Sequence, residues 1–360
     1  MRSCPPPFAL SAGSASGLHH AALVIATLLL CACTTPPAPP PAPPPVRVAV
    51  PPAPPPQGLL ARDERLALYA PRAGDTYASI AAGVLGNEAR AWEITELNGP
   101  NGPLPGIPLV LPIEPVNPGG VRLDRFQTVP ILCYHRVGPG SSRMTVSSAR
   151  FAQQLEWLAG NGYTVVEMRR LAGFLEGRQA LPPRSVVISF DDGYESVYRH
   201  AFPLLKKHRM PATLFLYTDF VGTGGNALSW PQVQEMRDSG LVDVQAHSKT
   251  HANLIERLGD ESEALYRRRL DTEVRTPRDV ILRRLPAHEV LDYAYPYGDA
   301  NEQVLEAMAR HRYRLAVTVN PGGNPFYAQP LMLRRTMILG SHDLEDFKAR
   351  LVVSRPIGTP

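Results

Sequence analysis

The chain has 360 residues, 44% of them hydrophobic, enough for one large globular domain and something smaller. Its net charge is only +4 and its basic residues are dispersed, which excludes nucleic acid as a partner. The 39 prolines are well above ordinary usage and crowd toward the start of the chain.

In chain order, the first feature is the run "HHAALVIATLLLCAC", too short to cross a bilayer comfortably but suited to the core of an export signal. Arg2 is the only strong positive charge ahead of it. From Thr34 to Gly58 the prolines form a spacer that can neither coil into a helix nor bury a core. At about 3.1 Å per residue its extended reach is on the order of 60 Å.

After the spacer, Asp75 and Thr76 offer caps for a short helix carrying Ile80. The stretch "EARAWEITELN" predicts a second helix with Ala91, Ile94 and Leu97 at apolar spacing, and "GIPLVLP" predicts a closing strand. "IEPVNPGG" breaks the pattern and marks a boundary. From about Phe126 strand-like runs alternate with helical ones: "TVPILCYH", "SARFAQQLEWLAGNG", "YTVVE", "MRRLAGFLEG", "SVVISF", "YRHAFPLLKKHRM", "ATLFLY", "WPQVQEMRDSG", "LVDVQAH". Repeated units of this length predict an α/β fold, a parallel sheet covered by helices and closing toward a barrel. Functional groups in such folds sit at the carboxyl ends of strands.

Two such ends carry chemistry. "ISFDDGY" places Asp191 and Asp192 where a strand stops, and "QAHSKTH" places His247 and His251 four apart after another strand, in a loop or a first helical turn. Taken alone, the first is an ordinary turn and the second a chance pair. Together, two imidazoles and a carboxylate make a donor set for a divalent metal of the zinc type. The second carboxylate is then free to accept a proton from water, since adjacent side chains at a strand end point to opposite sides. A glycosidase, which needs two carboxylates across the scissile bond, suits the histidines less well. Cys133, within "VPILCYHRV", reads as a buried small hydrophobe.

The motifs "ISFDDGY", "QAHSKTH" and "AYPYG", with "VPILCYHRV" and "ATLFLYTDFVG", resemble the NodB-type polysaccharide deacetylases, carbohydrate esterase family four. The resemblance, over residues 126–353, implies a distorted (β/α) barrel that removes acetyl groups from N-acetylated sugars with one divalent metal ion, zinc foremost and cobalt, nickel or iron as alternatives. It makes Asp191 the general base and assigns Asp192, His247 and His251 to the metal. The backbone N–H of Tyr297 becomes an oxyanion donor, and Tyr295, Pro296, His135 and Arg335 are expected to line the substrate. Many relatives carry an arginine where this chain has Ala294, which leaves the charge partner of Asp191 to Arg334 or Arg335. The family's late histidine has no clean counterpart: His342 lies in a polar stretch suited to a cap, and His135 serves equally as a structural histidine.

Residues 66–113 resemble a LysM module, a small βααβ domain that implies binding to N-acetylglucosamine chains, peptidoglycan among them. Residues 1–33 resemble a bacterial lipoprotein signal whose "LCAC" nominates Cys33 for lipidation, with 34–58 as linker. Thr34, rather than Asp, after Cys33 implies an exported lipoprotein held at the outer membrane by its lipid and facing the periplasm. The expected substrate is an N-acetylglucosamine polymer, either extracellular poly-N-acetylglucosamine or peptidoglycan. The rival expectation is a noncatalytic glycan-binding lipoprotein on a degenerate barrel.

Overall fold

The computed structural model describes residues 58–358; the expected signal, Cys33 and the spacer before Gly58 lie outside them. The first elements form a small unit. Strand β1 (Gly58–Arg62) pairs antiparallel with β2 (Leu66–Ala70), which pairs antiparallel with β3 (Leu109–Pro112). Helices α1 (Tyr77–Leu85) and α2 (Ala91–Asn98) lie between the last two strands in the chain. Thr76 caps α1 by accepting the Ser79 N–H, and Ser79 reciprocates at the Thr76 N–H, so two orphan donors of the first turn are satisfied. Asp75 instead accepts from the Arg72 N–H and the Tyr69 hydroxyl. Ile80, Ala81, Ile94, Leu109 and Leu111 fill the core, and the Asn98 side chain bonds both the N–H and the carbonyl of Val110, fixing α2 to β3. Strand β1 went unread in the sequence because four of its five residues are exposed and it shows no alternation.

The larger part builds a parallel sheet. Its strands are β4 (Val129–Tyr134), β5 (Ser185–Phe190), β6 (Ala212–Leu216), β7 (Val242–Ala246), β8 (Asp292–Ala294) and β9 (Leu315–Val317), each pairing parallel with the next. Between them run α3 (Ser148–Gly160), α4 (Met168–Leu175), α5 (Phe202–His208), α6 (Trp230–Asp238), α7 (Glu263–Arg284) and α8 (Glu302–Arg310). Every residue of β4, β5 and β6 is buried, as expected for parallel strands covered on both faces. The sheet is curled: Leu333 bridges β9 at Val317, and β10 (Thr336–Met337) pairs with Leu132 and Cys133 of β4. One segment therefore joins the two edges of the sheet. It also brings Arg335 across from the far side of the chain to the end of β5.

Helix α7 was not foreseen. Its arginine-rich sequence with Pro277 inside argues against a helix of 22 residues, yet Tyr266, Leu270, Val274 and Ile281 recur on one buried face. Proline lacks the N–H that would reach back to Glu273, and the Glu273 carbonyl accepts the Tyr293 hydroxyl at 3.4 Å. Tertiary packing thus outweighs local propensity.

Candidate metal and catalytic site

The site lies where β5 and β7 end. The Asp191 N–H still bonds the Tyr134 carbonyl at 2.9 Å, after which the backbone turns through left-handed geometry at Asp192 (φ 75°) and Gly193 (φ 94°). It is this turn, not the alternation of an extended strand, that sends the two carboxylates apart. A Cβ on residue 193 would sit 2.7 Å from Leu216 Cδ2, so glycine is required by packing as well as by φ. Among the described residues seven non-glycines have positive φ, and four of them, Asp192, Ser248, His251 and Tyr297, belong to this site. Backbone strain is concentrated where side chains must be aimed.

The Asp192 carboxylate is aimed at the two histidines. Its Oδ1 is 3.5 Å from His247 Nε2 and 3.4 Å from His251 Nε2, and this buried oxygen has no hydrogen bond. An orphaned carboxylate oxygen facing two imidazole nitrogens is costly unless a cation sits between them, and the donor set suits a divalent metal. His247 Nδ1 lies 2.7 Å from the Ala294 carbonyl, which as acceptor keeps the proton on Nδ1 and leaves Nε2 free. Both histidines leave β7 in a loop, not a helix. The His251 N–H donates to Ser248 Oγ, and the buried Glu273 of α7 accepts from the N–H groups of Lys249 and Thr250 and from the Thr250 hydroxyl.

Asp191 has a different environment. Arg335, fully buried, donates from its two terminal nitrogens to the two Asp191 oxygens at 2.6 and 2.7 Å, while its Nε donates to the Thr318 carbonyl at 2.8 Å. Burial would raise the Asp191 pKa, but Arg335 and then His247 outweigh it and hold the carboxyl well below the usual carboxylate range. Asp191 is therefore an ionised carboxylate 3.9 Å from His247 Nε2, positioned to take a proton from a group bound beside the triad. Cys133 and His135 flank it, with ligand-capable atoms of the three within 4.8 Å of one another. Burial pushes the Cys133 thiol up and the His135 ring down in pKa.

Several expected roles change here. Arg335, expected either to line the substrate or, with Arg334 as the alternative, to partner Asp191, has no exposed surface and partners Asp191 from the residue just before β10. Arg334 turns away and donates to the Pro321 carbonyl. Tyr295 is equally buried, its hydroxyl donating to the Leu331 carbonyl, and Pro296 is buried as well, so neither offers a side chain to substrate. Tyr297 is the exposed member of that turn, its ring edge-on to His251 with centroids 4.9 Å apart. The turn bonds the Gly298 N–H to the Tyr295 carbonyl and the Asp299 N–H to Pro296, leaving the Tyr297 N–H outside its hydrogen bonds. His342 is committed elsewhere: Nδ1 accepts the Leu339 N–H and Nε2 contacts Arg350. Glu273, which orders the histidine loop, had no local signal, being one acid in a charged helix.

A curled parallel α/β sheet with a metal-type triad and an arginine-held carboxylate at its carboxyl end defines a hydrolytic α/β domain. Residues 178–316 match the family model for polysaccharide deacetylase, a span that includes Asp191, Asp192, His247, His251 and Tyr297 but neither His135 nor Arg335. In sequence over that span, and in fold over a longer one, the chain resembles polysaccharide deacetylases. It is 30% identical over 181 residues to the poly-β-1,6-N-acetyl-D-glucosamine N-deacetylase of Staphylococcus epidermidis, covering 49% of this chain and 61% of that relative. Among solved structures, it resembles IcaB from Ammonifex degensii (29% identity, 63% of this chain and 96% of that one, TM-score 0.56). It also resembles the Streptococcus pyogenes deacetylase PplD in complex with acetate (27% identity, 62% and 98%, TM-score 0.56).

Proposed function

We propose that this chain is a metal-dependent N-deacetylase of N-acetylglucosamine polymers, with poly-β-1,6-N-acetylglucosamine as the favoured substrate. The observation that carries the reading is the buried, unbonded Asp192 oxygen facing His247 and His251 beside an ionised Asp191. The relatives named for that polymer support the choice over peptidoglycan. Asp192, His247 and His251 would hold the metal, zinc first by donor type, with cobalt, nickel and iron accepted by the same set. When bound, the metal polarises the amide carbonyl and acidifies water. Asp191 takes the water proton, the Tyr297 N–H supports the developing oxyanion, and Arg335 keeps Asp191 ionised and fixed in orientation. His135, with a ring nitrogen within 4.8 Å of an Asp191 oxygen, is placed to serve the leaving amine.

The test is acetate release by the mature protein from poly-β-1,6-N-acetylglucosamine oligomers and from peptidoglycan, with zinc, cobalt or nickel added and Asp191→Asn as control. Release from the first polymer, abolished in the control, is the expected result. A protein that binds metal and glycan yet releases no acetate from either would be the noncatalytic binder instead. The same proposal takes residues 66–113 as a LysM-like glycan-binding module and Cys33 as the lipid anchor of a periplasm-facing outer-membrane lipoprotein. Cys33→Ser should move the protein from the membrane to the soluble fraction; unchanged membrane association with no lipid mass on the native protein would remove the anchor.

A further inference from the structure

A cavity whose lining includes Tyr194, two residues beyond Asp192, takes no part in the proposed reaction. It has a volume of about 330 Å³ and is lined by Arg136, Ser141, Ser142, Tyr194, His200 and Asn226, among others. Its walls are tied down. Tyr194 bridges to Ala227, the Glu195 N–H bonds the Asn226 carbonyl at 2.7 Å, and Gly138 packs so closely on His200 that a Cβ there would fall 2.4 Å from the ring. The Arg136 guanidinium lies 4.0 Å from the centre of the Tyr194 ring and has no carboxylate partner among the described residues. Glu195, the acid in the lining, is already bonded to Arg199 at 2.5 Å and to Gln232. Arg199, the other guanidinium in the lining, is thus paired with Glu195, and Arg136 remains as the one cation there without a carboxylate partner among the described residues.

Its position relative to the triad is set by a row of rings. Tyr194 meets Phe220 edge-on at 5.4 Å, Phe220 stacks on Tyr217 at 5.0 Å, Tyr217 meets His251 at 5.3 Å, and His251 meets Tyr297 at 4.9 Å. Aromatic side chains suit the apolar faces of pyranose rings, and this row links His251 of the triad to Tyr194 in the lining of the cavity. Tyr194 also follows Asp192 by only two residues, so a polymer with one N-acetyl group at the triad would place a neighbouring unit on the Tyr194 side, beside Arg136.

We infer, resting on the deacetylase reading, that this cavity receives the sugar next to the one being deacetylated and that Arg136 selects against a glucosamine there. Each turnover adds water across one amide: the C–N bond breaks, acetate leaves, and the freed amine takes up a proton to become ammonium. An ammonium facing an unpaired guanidinium in a partly enclosed cleft is repelled, whereas the neutral acetamido group can accept hydrogen bonds from Arg136, Ser141 and Asn226. The enzyme therefore avoids units adjacent to its own products, and acetyl groups are removed at spaced positions along the polymer.

The experiment compares kcat/KM for acetate release from a fully acetylated β-1,6-linked tetramer and from one carrying a single internal glucosamine, with product positions read by fragment mass spectrometry. The native enzyme should favour the acetylated tetramer by about tenfold at low salt, with the preference shrinking as salt rises. Arg136→Gln should bring the two rates together and give adjacent deacetylations, while Arg136→Lys should keep the preference. Equal rates on both tetramers in the native enzyme, or an undiminished preference in Arg136→Gln, would overturn the subsite while leaving the deacetylase intact. No acetate from either tetramer would overturn the deacetylase reading and this inference with it.

Discussion

The two ends of the parallel sheet each bury an aspartate beside an arginine, and the two pairs behave oppositely. At the carboxyl end Arg335 grips both oxygens of Asp191, with its own Nε anchored on Thr318, and the carboxyl stays ionised. At the amino end Arg314 approaches Asp292 no closer than 3.5 Å, neither Asp292 oxygen has a well-formed hydrogen bond, and burial pushes the carboxyl up to about 7. Residue type is the same and burial is the same. Geometry and the neighbouring charges decide the charge state: a planar guanidinium offset from its carboxylate forfeits the paired bonds that would offset desolvation, and Asp243 raises Asp292 further where His247 lowers Asp191.

The largest expected effect comes from breaking the well-formed pair. Arg335→Met leaves a buried, unpaired carboxylate, which costs about 3–5 kcal/mol of stability. Without its main opposing charge, burial raises the Asp191 pKa, and loss of the ionised base should lower acetate release by about 100-fold or more at neutral pH. Arg335→Lys restores charge without the paired fork and should recover only part of either loss. Denaturant unfolding and acetate release together check this. A methionine variant with native midpoint and native rate would show that Asp191 does not depend on Arg335.

The contrast also explains what the sequence could and could not convey. DDG after a six-residue buried strand and HxxxH after another are local patterns, so the triad was legible, as were most strands and helices of the sheet. What pairs with Asp191 was legible only as a choice between neighbours, because Arg334 and Arg335 are adjacent in the short stretch before β10 and only the fold turns one of them inward. The placement of Tyr295 and Pro296 was misread for a related reason. A turn motif names its residues but not which of them point inward, and the positive φ at Tyr297 exposes that side chain while its predecessors pack inside. Glu273 and the amino-end pair were illegible, since each depends on contacts between elements distant in the chain.

The amino-end pair supplies the smaller and subtler test. Asp292 binds its proton up to about pH 7 in the folded protein, against an ordinary value of 3.8. Between those two values the folded state holds a proton that the unfolded state has released, so stability contributed by this group declines as pH rises and levels off above 7. Asp292→Asn removes the titration and keeps the shape. Its unfolding free energy should therefore fall less steeply than the native protein's between pH 4 and 7, with a gain on the order of 1 kcal/mol or more at pH 8. Chemical denaturation across that pH range gives both slopes directly. Parallel slopes would mean that Asp292 is ionised throughout, and hence that the loose contact with Arg314 holds a buried charge as well as the bidentate grip at the other end of the sheet; the charge state of a buried aspartate would then be set by the presence of an arginine and not by its geometry.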